Sequence, residues 1–136
     1  MVRLIMGEKG TGKTKMLIEL INSAAEKETG NVVCIEAKST MTFDVNHQVR
    51  LLSASEYQIA DYATMKGFVS GLYAGNYDIS HIFIDNLLKI VDGHVDHEAD
   101  SFLAWLERFS NKCGVKFTVS VSVDPSLATE EMRTYM

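Results

Sequence analysis

Short apolar runs alternate along the chain with longer segments in which apolar residues recur at helical spacing. The nearly continuous apolar runs cover residues 2–6, 31–36, 81–85 and 115–123. The segments with helical spacing cover residues 15–28, 61–75 and 96–113. Continuous apolar strands are typical of parallel sheets that helices cover on both faces. The alternation therefore predicts a three-layer α/β/α sandwich around a mainly parallel sheet.

The length of 136 residues suits one domain, and we expect residues 1–136 to form it. Residues 37–60 are the least regular part, although residues 41–45 and 49–53 have the composition of short strands. Near the C-terminus, Asp124 and Pro125 predict the start of a short closing helix that reaches Arg133.

Glycines mark two further features of the predicted helices. Gly30 follows the first helical segment, so we expect it to end that helix. Gly67, Gly71 and Gly75 recur every four residues and share one face of the second helix. Each glycine costs a helix about 1 kcal/mol relative to alanine unless a close contact compensates. We therefore expect this face to pack tightly, against the sheet.

Composition and charge exclude several classes of protein. The net charge is −5 and the 13 lysines and arginines are scattered along the sequence. The sequence therefore shows no cluster of basic residues of the kind that nucleic-acid binding needs. The first apolar run has five residues, too few for a signal peptide or a membrane span. Cys34 and Cys113 have no metal-ligand spacing and suggest reduced thiols. We expect a cytoplasmic protein that binds neither nucleic acid nor membrane.

The strongest motif is the octet GEKGTGKT, which matches the phosphate-binding pattern G-x-x-x-x-G-K-[ST] between a predicted strand and a predicted helix. Glycines allow successive backbone N–H groups to surround phosphate oxygens, and the helix N-terminus adds its positive dipole end. Lys13 is expected to bridge the β- and γ-phosphates, and the Thr14 hydroxyl to bind Mg²⁺. The predicted nucleotide-binding residues are Gly7, Glu8, Lys9, Gly10, Thr11, Gly12, Lys13, Thr14 and Lys15.

Asp85 ends the third apolar run and is the second candidate for the site. Three apolar residues followed by an aspartate fit a Walker B element, whose carboxylate positions Mg²⁺ directly or through water. An aspartate that ends a strand is otherwise a common turn former. Downstream of the glycine loop, we interpret it as a magnesium-site residue together with Thr14.

These motifs resemble the ASCE or RecA-like division of P-loop ATPases, over most of the chain. The matching parts are residues 7–14, residues 82–85 and the polar fourth strand at residues 118–122. The resemblance implies that the fourth strand inserts between the Walker A and Walker B strands and carries a polar sensor near the γ-phosphate. Ser120 and Ser122 match that position, and we take Ser120 as the catalytic candidate.

The chain is also similar to short bacterial P-loop proteins labelled twitching-motility or pilus-retraction ATPases, although it is far shorter than a true pilus-retraction ATPase. One departure from the ASCE pattern concerns hydrolysis. Members of that division usually place a glutamate beside the Walker B aspartate, whereas this chain has Asn86. RecA-like members can carry the glutamate at the end of the neighbouring strand, where this chain has Glu36. Glu36 is therefore the candidate general base, with a surface strand-end glutamate as the alternative interpretation.

The remaining motifs narrow the choice of ligand and of reaction. The guanine motif N-K-x-D is incomplete at residues 111–114, so ATP with Mg²⁺ is the expected ligand. Only four arginines are present, Arg3, Arg50, Arg108 and Arg133, which disfavours a small-molecule kinase. Any arginine that acts on the phosphates then comes from a protein partner or a second copy, with Arg108 and Arg133 as candidates.

His94 and His97 lie among aspartates and raise the alternative of a metal site, although an aspartate-rich helix start is commoner.

Three functions remain open. The first is a slow ATPase in which ATP and ADP switch the affinity for a partner through residues 37–60. The second is a nucleotide-binding scaffold without useful turnover, favoured by Asn86 and the scarcity of arginine. The third is a small-molecule phosphotransferase.

Overall fold

The computed structural model describes residues 1–38 and 44–136. Its strands are β1 (Val2–Met6), β2 (Asn31–Glu36), β3 (Arg50–Ser53), β4 (Ile79–Ile84) and β5 (Lys116–Val121). Its helices are α1 (Lys13–Lys27), α2 (Tyr62–Gly75), α3 (Leu87–Val91), α4 (His97–Cys113) and α5 (Glu130–Arg133). Two 3₁₀ turns cover Ala54–Tyr57 and Pro125–Leu127.

The five strands form one sheet in the order β1-β5-β4-β2-β3, and every neighbouring pair is parallel. The strand β5 lies between β1 and β4, with Ser120 opposite Ile5 and Val119 opposite Ile84. The carboxyl ends of β1, β4 and β5 therefore meet at one edge of the sheet. The predicted α/β fold and the predicted insertion of the fourth apolar strand are both confirmed.

Alternate residues of each strand face two separate apolar cores. On one face, Ile5, Cys34 and Phe83 pack with Leu17 and Ile21 of α1. The opposite, larger core joins the sheet to α2, α3, α4 and α5, and its most buried members include Ile35, Met65, Ile84, Phe102, Leu106 and Phe117. Complete burial of one such side chain contributes about 2 kcal/mol. The two cores make the sheet the middle layer of a sandwich.

The helix α4 begins and ends at the residues that the sequence indicates. The Asp96 carboxylate accepts hydrogen bonds from the N–H groups of Glu98 and Ala99, both at 3.1 Å. At the other end, Gly114 takes a left-handed conformation with φ of 78°. A side-chain cap and a left-handed glycine satisfy backbone groups that a helix leaves unpaired.

Gly30 has a different role from the predicted one. The helix α1 ends at Lys27 and its C-cap is Glu28, so the helix stops before Gly30. A Cβ atom on Gly30 would lie 2.5 Å from the Ser80 Cβ and 2.6 Å from the Asp78 carbonyl oxygen. The glycine is therefore needed for the close approach of the chain to β4, rather than to end the helix.

The predicted packing of the glycine face of α2 is wrong. Gly67, Gly71 and Gly75 are exposed, and a Cβ atom on any of them would meet nothing within 4 Å. The buried residues of α2 are Met65 and Val69, which turn the opposite side of the helix toward the core. Helical spacing shows that the glycines share a face, but burial of the apolar side chains decides which face meets the sheet.

The irregular segment and the closing helix also differ in detail. Arg50–Ser53 forms β3 as predicted. Of the other expected strand, residues 41–43 lie outside the described residues, and the adjoining residues 44 and 45 form a turn. The closing segment is divided into a 3₁₀ turn and α5, because the Thr129 hydroxyl accepts a hydrogen bond from the Met132 N–H and starts a new helix.

A buried polar cluster holds the amino-terminal ends of β4 and β5 to the end of α1. His81 Nδ1 lies 2.8 Å from Glu28 Oε2, and His81 Nε2 lies 2.8 Å from Thr118 Oγ1. Glu28 also accepts a hydrogen bond of 2.7 Å from Ser80 and lies 3.7 Å from the Lys116 ammonium. Burial lowers the pKa of His81, although the hydrogen bond and the charge of Glu28 act in the opposite direction.

Acidification should destabilise the protein through this cluster. Because the pKa of His81 is lower in the folded protein than the ordinary 6.5, its contribution is complete above pH 6.5 and is lost as the pH falls toward the folded-state pKa. Burial raises the pKa of Glu28, but its hydrogen bonds to His81 and Ser80 outweigh burial and the net shift is downward, which adds a loss below pH 4.5. Urea unfolding between pH 7.5 and 5.5 should show a smaller loss for His81→Gln than for the wild type. Parallel profiles would contradict this role of His81.

Two glycine substitutions should shift stability in opposite directions. Gly30→Ala should lower the free energy of unfolding by about 1–3 kcal/mol, because the new methyl group overlaps Ser80 and the Asp78 backbone. Gly71→Ala is the matched control: it lies on an exposed helix face and should raise the free energy by up to about 1 kcal/mol. Urea denaturation measures both, and equal effects would show that neither position has the packing described.

Candidate functional site

The glycine loop joins β1 to α1 and has the backbone that phosphate binding needs. Gly10 and Gly12 have φ values of 90° and 82°, which L-residues with side chains rarely adopt. A Cβ atom on Gly7 would lie 2.7 Å from the Thr11 Oγ1 atom. Thr11 closes the turn by donating a hydrogen bond of 2.7 Å from its hydroxyl to the Glu8 carbonyl oxygen. The loop therefore curls back on itself at the edge of the sheet.

The N-terminus of α1 follows this loop without a cap. Its N-cap residue is Gly12, no side chain accepts a hydrogen bond from its first turn, and that turn contains no acidic residue. The first N–H groups of a helix have no partner within the helix, and its dipole is positive at this end. The first turn of α1 is thus suited to an anion.

The loop and α1 open into a cleft of about 580 Å³ at the carboxyl ends of the strands. Its lining comprises Glu8, Lys9, Gly10, Gly12, Lys13, Thr14, Glu36, Ala37, Lys38, Asp85, Asn86, Lys89 and Ser122. The structure therefore brings most of the sequence-predicted site residues together. Gly7 and Thr11 line a neighbouring cleft, whereas Lys15 and Ser120 line neither.

Lys13 points across the cleft toward the end of β5. Its ammonium group donates a hydrogen bond to the Ser122 hydroxyl. Partial burial lowers the pKa of Lys13, and the charge of Asp85 partly offsets this effect. Lys13 is the first residue of an uncapped helix and lies near a strand-end aspartate. A lysine in this position is placed to bind an anionic ligand.

Ser120 links two residues at the end of β4. It is fully buried, donates a hydrogen bond of 2.8 Å to Asp85 Oδ1, and accepts one of 2.8 Å from the Asn86 N–H. Asn86 has a φ of 57°, in the left-handed region, and is the N-cap of α3. The hydroxyl therefore fixes both the carboxylate of Asp85 and the turn after it. The sensor role assigned to Ser120 stays a prediction. Ser122, the residue after the end of β5, is the serine that lines the cleft.

Glu36 lies at the end of β2, next to β4 in the sheet. It is 1% exposed and lines the cleft, so it is not a surface glutamate. The Asp85 N–H donates a hydrogen bond of 2.8 Å to the Ile35 carbonyl oxygen, which holds the two strand ends side by side. The structure thus places two carboxylates, Glu36 and Asp85, on the same wall of the cleft.

A second cleft of about 390 Å³ lies on the other side of the glycine loop. Its lining includes the apolar side chains of Met6, Met16 and Pro125, with Asp124 as a polar neighbour. The loop separates a polar cleft from a more apolar one, and the two clefts share Glu8, Gly12 and Lys13.

Sequence reasoning missed two lysines of the larger cleft. Lys38 follows β2 and Lys89 lies in α3, and both line the cleft with Lys13. Lys89 comes four residues after Asp85 in the sequence. This short spacing from a recognised Walker B aspartate could have marked Lys89 as a candidate site residue. A helix of five residues has too little periodicity to be predicted from its pattern.

The solved structure of flagellar accessory protein FlaH from Methanocaldococcus jannaschii is similar to this one, with a TM-score of 0.58. The match covers 98% of this chain and 65% of FlaH, at 13% sequence identity. The fold is RecA-like. At this identity the similarity establishes the fold alone, and the chain spans less than two thirds of FlaH.

The pCW3 conjugation coupling protein TcpA, solved as a monomer with ATPγS, is a weaker match. Its TM-score is 0.42 at 13% identity, over 98% of this chain and 46% of TcpA, which supports no further statement. No protein-family model matches the chain, and no curated protein matches it in sequence. The resemblance to proteins labelled twitching-motility ATPases therefore stays a prediction.

Other expectations concern membranes, thiols and metals. No helix within residues 1–38 and 44–136 is long and apolar enough to cross a membrane. Cys34 and Cys113 are free, and burial raises the pKa of the Cys34 thiol, with Asp85 and Glu36 adding to the shift. In the described part of the chain, His94 and His97 belong to no group of three or more side chains that would hold a metal ion.

Ser120→Ala should destabilise the protein more than Ser122→Ala. The first substitution leaves the half-buried Asn86 N–H and one Asp85 oxygen without their partner, at a cost of about 1–3 kcal/mol in the free energy of unfolding. The second leaves the half-buried Lys13 ammonium free to bind water, so we expect a cost below about 1 kcal/mol. Urea unfolding of the two variants tests this, and an equal cost would contradict the linking role of Ser120.

Proposed function

We propose that this protein binds ATP in the 580 Å³ cleft and hydrolyses it slowly. The observation that carries the proposal is the convergence of three features on one cleft. These are the glycine loop with its left-handed backbone, the uncapped N-terminus of α1, and Lys13 beside Asp85. Together they form a concave site for a chain of phosphates at the carboxyl edge of a parallel sheet, where RecA-like folds are suited to bind nucleotides.

The two clefts favour one orientation of the nucleotide. The β- and γ-phosphates fit the polar cleft, because the loop, Lys13 and the strand-end carboxylates are all there. The nucleoside then extends to the other side of the loop, where Met16 and Pro125 offer apolar surface to a base. Adenine is the expected base, since the chain lacks a complete guanine motif.

The residues present fit a magnesium ion shared with the phosphates. Thr14 in the first turn of α1 and Asp85 at the end of β4 line the same cleft, and both offer oxygen ligands. Mg²⁺ usually keeps several waters and takes only one or two protein ligands when phosphates supply the rest. Thr14 and Asp85 would hold it, and the ion would neutralise charge on the phosphates.

Glu36 is the proposed general base. We assign to this buried carboxylate on the cleft wall the role of accepting a proton from a water molecule as the water attacks the γ-phosphorus. The bond between the γ-phosphorus and the β,γ-bridging oxygen then breaks, and ADP leaves with phosphate as the second product. Lys13 and the N–H groups of the loop stabilise the negative charge on the phosphate oxygens.

Slow turnover suits a nucleotide-dependent switch on a protein partner or a second copy of the chain, through residues 37–60 next to Glu36. A scaffold that binds nucleotide without turnover is the second candidate, and the observation that favours it is Asn86, whose side chain takes no proton. A small-molecule kinase is less well supported, because the cleft is lined by lysines and none of the described lining residues is an arginine.

Removal of the Lys13 ammonium should weaken nucleotide binding. Calorimetric titration with Mg·ATP should give an affinity about tenfold to a hundredfold lower for Lys13→Ala than for the wild type, because charge-assisted hydrogen bonds to phosphate are lost. Mg·GTP serves as the base-specificity control, and Lys27→Ala, on the last turn of α1, as the charge control. Equal affinity of Lys13→Ala and wild type would sink the site assignment.

Glu36→Gln should separate the ATPase from the scaffold. A general base typically contributes a factor of about 100 or more, so phosphate release should fall by at least that factor while ATP binding is kept. Glu26→Gln, on the exposed side of α1, should leave turnover unchanged. Binding without any phosphate release by the wild type would favour the scaffold, and transfer of phosphate to a small molecule would establish a kinase.

A further inference from the structure

The positive charge of the larger cleft comes from lysines, and the arginines lie elsewhere. Lys9, Lys13, Lys38 and Lys89 line it. The four arginines occupy other places, namely the cleft beside His81 (Arg3), the first residue of β3 (Arg50), α4 (Arg108) and the last residue of α5 (Arg133). A cation that acts on the terminal phosphate from within this chain, as far as the structure describes it, is therefore a lysine.

Lys89 differs from the other lysines in the way its backbone is held. It lies in α3, whose flanking residues Asn86 and Asp92 both have left-handed backbones, with φ of 57° and 51°. On both sides of Lys89 the helix is buried, since Leu87 is 2% exposed and Ile90 is 7% exposed. Lys89 itself is exposed and faces the cleft, so a short fixed helix presents one flexible ammonium group to it.

The fixed position of α3 depends on the same contacts that place Asp85. The Asn86 N–H donates to Ser120, which donates to Asp85, and the Lys89 N–H donates a hydrogen bond of 3.1 Å to the Asn86 carbonyl oxygen. Lys89 is therefore linked to the end of β4 by one turn of helix. By contrast, Lys9 is in the glycine loop, and Lys38 lies two residues beyond the end of β2.

We propose that Lys89 binds the γ-phosphate of the nucleotide and makes this site selective for triphosphate over diphosphate. The proposal rests on the proposed function, because it assigns Lys89 to the same phosphates. Lys13 bridges the β- and γ-phosphates of ATP and keeps its contact with the β-phosphate in ADP. Lys89 approaches from the Asp85 side of the cleft, beyond the loop, and contacts an oxygen that only the triphosphate has. The ammonium supplies in cis the charge that sequence reasoning assigned to an arginine from a partner.

The test compares the ratio of two affinities in three variants. Calorimetry with the slowly hydrolysed analogue ATPγS and with ADP, both with Mg²⁺, gives the preference of the wild type for the triphosphate. Lys89→Met should lower that preference by about tenfold, the effect of one charge-assisted hydrogen bond, with ADP affinity nearly unchanged. Lys89→Arg should retain the preference, because it keeps the charge. Lys38→Met removes the same charge from the same cleft and should affect both nucleotides alike.

The outcomes distinguish a failure of the proposed function from a failure of the role of Lys89 alone. If the wild type binds neither nucleotide, the proposed function and the role of Lys89 both fail. If the wild type binds both and Lys89→Met leaves their ratio unchanged, only the role of Lys89 is overturned. A loss of preference in Lys38→Met as large as that in Lys89→Met would also overturn it, since the effect would then come from the general positive potential of the cleft. Unfolding curves of the variants should coincide, because Lys89 is exposed.

Discussion

The hydroxyl of Ser120 determines the geometry of the end of β4. A fully buried serine accepts the N–H of Asn86 and donates to Asp85, so one side chain holds a carboxylate and the turn that follows it. The order of the sheet makes this contact available, because β5 lies between β1 and β4. Two residues further along the chain, just after the end of β5, Ser122 accepts a hydrogen bond from Lys13. One serine near the end of β5 therefore contacts the aspartate of the cleft, and a second serine just after the strand contacts its lysine.

The helix α1 and the strand β4 each have polar contacts at both of their ends. The helix α1 begins at Lys13 in the cleft and ends beside Glu28, which contacts His81 near the start of β4. The strand β4 then runs from His81 to the residue before Asp85. The distance between Lys13 and Asp85 is therefore set by a helix and a strand whose far ends are joined to each other. Rigid elements held at both ends are a good scaffold for a site that must match phosphate oxygens closely.

Much of this arrangement could be predicted from the sequence, and the failures have identifiable physical causes. The glycine loop and Asp85 were predictable because a dense motif and continuous apolar strands leave few alternatives. The insertion of β5 was expected only from the resemblance to RecA-like ATPases. The short helix α3 was missed because five residues show no periodicity, and Lys89 was missed with it. Gly30 was assigned to a helix end, whereas its requirement comes from contact with Ser80, fifty residues away in the chain. A sequence pattern does not show such long-range contacts.

The balance of charge in the cleft determines how much positive charge a protein partner would have to supply. Four lysines, including Lys89, face three carboxylates, those of Glu8, Glu36 and Asp85. A triphosphate placed beside Glu36 and Asp85 needs cations close to its terminal phosphate, because the carboxylates repel it. In the proposed complex, lysines held on the chain's own elements would meet this need, which would lower the dependence on an arginine from a second molecule. Lysine is a flexible point charge, whereas arginine forms a planar bidentate contact, so lysines favour binding of the phosphate over tight geometric control of its transfer. This difference agrees with the slow turnover that we propose for this site.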